Sequence, residues 1–115
     1  MNFMMNNKEW EILQLPRDEF YQTREDISIE DRKEFPKTTC LFGFADLMKH
    51  KIYLNDSLCK DELRSTLIHE LVHSYLWSYG CSYTEYSEDA VCDTVSASFD
   101  IINKIVNDYF EEASL

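Results

Sequence analysis

The chain is 115 residues long, room for one compact domain and too little for two, so a function must live in a single small core. Eleven Lys and Arg stand against 22 Asp and Glu, a formal net charge of −11, which opposes binding to a nucleic-acid backbone or to an anionic membrane. With 44% hydrophobic and 14% aromatic residues, the composition is that of a globular protein and excludes intrinsic disorder.

In chain order, WEILQL at residues 10–15 mixes aromatic and branched side chains in loose alternation and predicts a short strand that stops at Pro16. Residues 17–37 are heavily charged, with apolar residues too sparse for a single period, and a short helix followed by surface loop fits them. Thr38–Phe44 and Lys51–Leu54 are rich in Thr, Phe, Ile and Tyr on either side of a turn-like stretch, Asp46–His50, and predict a β-hairpin. Asn55-Asp56-Ser57 offers three N-cap residue types, and Asp61 and Glu62 follow where carboxylates complement the helix dipole. A long helix is expected to begin there. Its apolar positions, Leu63, Leu67 and Leu71, then Ile68, Val72 and Leu76, recur at three- and four-residue steps until Gly80, a C-terminal stop. After a polar, tyrosine-bearing loop at 81–86, Ser87 caps a second helix with the stripe Val91, Val95, Ile102, Ile105 and Tyr109, which runs nearly to the C-terminus.

No apolar run approaches the roughly 18 residues of a membrane span, and the opening MNFMMNNKEWE lacks a basic-then-apolar leader, so a cytoplasmic protein is expected. Cys40, Cys59, Cys81 and Cys92 are irregularly spaced without a CxxC pair. That argues against a zinc ribbon or a redox dithiol and for reduced structural thiols.

The first long helix carries His69-Glu70-Leu71-Val72-His73, an HExxH arrangement. Four residues advance a helix by about 6 Å and about 40° beyond one turn, so both imidazoles share a face and can converge on one zinc ion at about 2.0–2.1 Å. Glu70 lies about 60° from His73 around the axis. From there its carboxylate can reach a water at the metal without ligating, and take its proton as general base. Leu71 and Val72 point the other way and anchor the helix.

A hydrolytic zinc site needs a third protein ligand and an open position. No histidine follows His73, so a carboxylate must supply the ligand, and Glu85, Glu88 and Asp89 are the candidates downstream. Asp89 is favoured, with Asp93 four residues on, placed to brace a ligating imidazole. Glu88 is the alternative; it points about 100° away, so both cannot face the metal, and either could instead simply cap the helix dipole. His50 could add a ligand or bind substrate, but beside the hairpin turn it reads rather as a surface or packing residue. Tyr75, Tyr79, Tyr83 and Tyr86 offer phenols that could steady an oxyanion, with no spacing rule to choose among them. Trp77 and the C-terminal aromatic residues are expected in the core, and Cys92 is expected to be a small buried thiol.

Taken together, these segments resemble small gluzincin-type zinc metallopeptidases, in particular the compact phage- and mobile-element-type domains of the ImmA/IrrE kind. The likeness covers roughly residues 38–100: GFAD followed by KIYLN as the strand edging the cleft, TLIHELVHSYL as the active-site helix, and SEDAVCDTVS as counterpart of the glutamate helix. The spacing Asp89-Ala90-Val91-Cys92-Asp93 is similar to the acidic ligand and aspartate of thermolysin-like enzymes, with Asp where Glu is usual. The resemblance implies an α+β, minimal zincin-like fold: a small twisted sheet packed on the active-site helix, with a second helix completing a Zn2+ site. It also implies a protein or peptide substrate, and members of the ImmA kind cleave repressor proteins, so a regulatory peptidase is expected. Two rivals remain. The charge suits an acidic binding protein that mimics DNA on a basic surface, and four protein ligands would make the zinc purely structural.

Overall fold

The computed structural model describes residues 1–30, 42–80 and 88–113, with the side chains of 27–30, 88, 89 and 113 left aside. Within these, the segments with alternating apolar residues form a four-stranded sheet: β1 (Asn2–Met5), β2 (Lys8–Leu15), β3 (Gly43–Asp46) and β4 (Lys51–Asn55), in the order β1-β2-β4-β3. Helices α1 (Arg17–Glu30), α2 (Lys60–Ser78) and α3 (Glu88–Ala113) complete the α+β fold. None of these helices is long and apolar enough to cross a membrane.

Period-2 alternation sends Trp10 and Ile12 to one sheet face and Leu13 and Leu15 to the other. On the first face Phe3, Met5, Trp10, Ile12, Ile52 and Leu54 meet Leu63, Leu67 and Leu71 of α2 and Ile102, Ile105 and Val106 of α3 in one continuous core. The second face is covered by α1, whose Phe20 packs with Phe44, Tyr53 and Leu13. The sheet is therefore sandwiched between helices, and the segment expected as a short helix and loop supplies a 14-residue helix for one whole layer.

β1 has no counterpart in the expectations. It pairs antiparallel with β2 through a two-residue turn, Asn6-Asn7, whose φ values of 50° and 61° are the positive pair a tight hairpin demands and asparagine tolerates. The predicted hairpin is present as β3–β4, from Gly43 to Asn55, closed by Lys49 N–H donating to the Asp46 carboxylate at 3.1 Å; residues 38–41 lie outside the described set. GFAD forms the edge strand, while KIYLN is interior, parallel to β2 and antiparallel to β3.

The predicted start of the long helix moves downstream, past all three cap-type residues. Asn55 belongs to β4, and its Oδ1 accepts hydrogen bonds from Ser57 N–H (3.0 Å) and Ser57 Oγ (2.7 Å), which spends the three cap-type residues on a turn. Cys59 is the N-cap instead, its N–H donating to Glu62 Oε1 at 3.3 Å. The stop at Gly80 holds, in the left-handed region at φ 66°. α2 approaches the edge strand closely: a Cβ at Gly43 would lie 2.6 Å from Thr66 Cγ2 and 3.0 Å from the Tyr53 carbonyl oxygen.

In α3 the expected stripe holds only in the C-terminal half. Ile102, Ile105 and Tyr109 are buried, but Val91 and Val95 are 46% and 54% exposed. Ser98 is buried, and between α2 and α3 lies a groove of about 150 Å3 lined by Ile68, Val72, Val95 and Phe99 among others. The Tyr109 hydroxyl donates to Gln14 Oε1, tying α3 to β2 across 95 residues of sequence.

Candidate metal centre

α2 presents the HExxH residues on two surfaces. His69 and His73 project from its accessible side, with Nε2 atoms 3.2 Å apart and ring centroids separated by 4.9 Å. Two nitrogens bound to one tetrahedral zinc at about 2.0–2.1 Å lie about 3.3 Å apart, so the separation of this pair matches that of two ligands on one zinc ion. Burial, and then the neighbouring His69 ring, hold the His73 imidazole below its ordinary pKa. Both influences favour the neutral ring, the form whose lone pair a metal takes up.

Glu70 lies on the inward face together with Thr66, Leu67 and Ser74, and only 3% of its surface is exposed. Burial pushes its carboxyl up to about 7, because the low-dielectric surroundings penalise the ion more than the acid. A carboxyl that titrates near neutrality, one residue from His69 and three from His73, can accept and return a proton at physiological pH. Leu71 is fully buried and Val72 packs against the same core, the anchoring role expected of them.

The third ligand stands differently. The backbone of α3 begins at Glu88, so Glu88 and Asp89 occupy its first turn, but their side chains, and all of Glu85, lie outside the described residues. Among the described residues no third His, Cys, Asp or Glu joins the histidine pair. Asp93, expected to brace an imidazole, is exposed and hydrogen-bonds neither ring among them.

The remaining candidates sort by packing. His50, at φ 56°, stacks on Trp10 with centroids 4.7 Å apart and is a packing residue as expected. Tyr75 and Tyr79 pack on each other at 4.7 Å, while Tyr83, Tyr86, Cys40, Cys81 and the Ser87 cap lie outside the described residues. Cys92 is exposed, not buried, as is Cys59, and both are free thiols; the α3 turn that carries Cys92 projects past the core. Trp77 also departs from its expected place in the core, with 49% of its surface exposed: it stands in the last turn of α2, beyond Ser74, the last buried residue of the helix. Nothing in the residue type could have revealed that; only its spacing of four from His73 carried the signal.

Comparison with known proteins adds one positive finding: the profile of the SprT-like family matches residues 11–94, from β2 through α2 into the first turns of α3. No curated protein and no solved structure matches the chain. The SprT-like family is related to the zincin-type zinc metallopeptidases, which agrees with the coarser part of the expected resemblance and names a different relative from the ImmA/IrrE kind. The matched stretch covers well over half of the sequence and includes the HExxH helix, and the chain belongs to the SprT-like family.

Proposed function

We propose that this protein is a zinc-dependent peptidase in which His69, His73 and Asp89 hold the metal, with Glu88 as the alternative third ligand, and Glu70 acts as general base. The observation that carries this reading is the 3.2 Å approach of two imidazole nitrogens on the same helix as a buried carboxyl with its pKa raised to about 7. When bound, zinc supplies Lewis acidity, which polarises a peptide carbonyl and makes a water acidic. In that role the Glu70 carboxylate would accept a hydrogen bond from the attacking water, take its proton, and return it to the departing amine nitrogen. The substrate is a protein or peptide, and the resemblance around HELVH supports a regulatory peptidase of the phage or mobile-element type.

Glu70→Gln should lower hydrolysis of an unfolded protein such as casein by about 10²–10⁴ while one zinc per chain, measured by elemental analysis, is retained. Turnover that survives in this variant sinks the assignment. Of Asp89→Asn and Glu88→Gln, the variant that loses zinc identifies the third ligand.

The net charge of −11 favours a second reading, an acidic binding protein that occupies a basic surface and needs no proteolysis. If His69→Ala and Glu70→Gln keep full biological activity while neutralising surface carboxylates abolishes it, that reading replaces the first.

A further inference from the structure

Trp77 follows His69 and His73 on one stripe of α2, each four residues beyond the last. Helical neighbours at this spacing have Cβ atoms about 5–6 Å apart, and long helical side chains lean over the turn N-terminal to their own Cα. The indole therefore borders the turn that carries His73. It is seven residues after Glu70, two turns along nearly the same line of the helix. The core face of α2 is complete without it: Leu63, Thr66, Leu67, Glu70, Leu71 and Ser74 are the buried residues. Among the described residues Trp77 makes no ring contact, and half of its surface faces solvent. A rigid, exposed indole offers a large contact area at little entropic cost, which is why tryptophan so often anchors a bound partner.

Resting on the peptidase reading above, we propose that Trp77 sets substrate preference by packing against a large apolar or aromatic side chain of the peptide, next to the bond held at the histidine pair. The stripe places the anchor within one turn of the metal ligands, so the side chain it grips belongs to a residue flanking the cleaved bond.

The test uses the zinc-loaded full chain and two probes, phenylalanine hydroxamate and glycine hydroxamate, which share a chelating group and differ by one benzyl side chain. Calorimetric titration of the wild type should show the phenylalanine probe binding about tenfold tighter, the worth of one aromatic pair. Trp77→Ala should bring the two probes to within about twofold of each other with glycine hydroxamate unchanged, and Trp77→Phe should keep most of the preference. Fluorescence supplies a second readout. The other tryptophan, Trp10, is 1% exposed, so a blue shift on adding the phenylalanine probe comes from Trp77 and disappears in Trp77→Phe. Equal affinity of the wild type for both probes, or a preference that survives Trp77→Ala, overturns the inference and leaves the metal centre standing. Zinc-loaded protein that binds neither probe has a metal with no open position, which overturns the peptidase reading and this inference together.

Discussion

Glu70 carries a cost that its proposed role explains. Its folded pKa of about 7 lies above the ordinary value near 4.5, so the folded state holds the proton more tightly than the unfolded chain does. The stability this group permits is complete below about pH 4.5 and declines as pH rises, until it is lost above about pH 7. In metal-free protein, Glu70→Gln should therefore match the wild type near pH 4 and exceed it at pH 8 by up to about 3 kcal/mol. Urea denaturation at the two pH values measures this, and a stability difference that does not change with pH refutes the burial account. At this scale the sequence was informative where geometry depends on spacing along one helix: the approach of His69 to His73 follows from 3.6 residues per turn. It was uninformative about exposure. Trp77 and Cys92 have residue types that favour burial, yet both are exposed, and among the described residues no second layer covers the helix there.

Among the elements, the contact between α2 and the edge strand positions the site. Gly43 faces Thr66 so closely that an added Cβ would lie 2.6 Å from Cγ2, and α2 can rest against β3 only because that position has no side chain. Gly43→Ala should push the helix outward and cost about 1–3 kcal/mol. Thr66→Ala, which removes the opposing methyl group, should recover part of that loss in the double variant. The remainder persists because the Tyr53 carbonyl oxygen also lies 3.0 Å from the new Cβ. A double-mutant cycle by chemical denaturation isolates the coupling, and strictly additive losses would show that the two residues do not meet. The helix boundaries illustrate what local patterns miss. Asn55, Asp56 and Ser57 are good cap types, but Asn55 pairs in β4 opposite Leu15 and its side chain closes a turn onto Ser57. Strand pairing made with a segment some 40 residues earlier thus outweighed a local preference. β1 was missed for a related reason: Asn2–Met5 is a short run without β-branched residues, and it becomes a strand only because β2 offers an edge and Asn6-Asn7 can turn back to it.

For the molecule as a whole, a net charge of −11 on 115 residues places like charges close together once the chain folds, and self-repulsion works against the compact state. The exposed pairs Lys51–Glu11 at 4.0 Å and Lys104–Asp108 at 2.6 Å offset little of it, since exposed pairs are each worth about 0–1 kcal/mol. Raising sodium chloride from about 0.01 to 1 M shortens the Debye length from about 30 Å to about 3 Å, so the Tm of chelator-treated protein should rise by several degrees. A flat or falling Tm in calorimetry would mean that favourable ion pairs outweigh the repulsion.

Periodicity and helix geometry, both local properties of the chain, are enough to specify the two long helices, the β3–β4 hairpin, the strand before Pro16 and the convergence of two imidazoles, because each depends on neighbours within a few residues. Packing decided the rest. The layer built by α1, the parallel pairing of β2 with β4, the close seat of α2 on Gly43, the deep burial of Glu70 and the exposure of Trp77 all depend on surfaces brought together from distant parts of the sequence, and the free energy of covering such surfaces is not encoded at any single position.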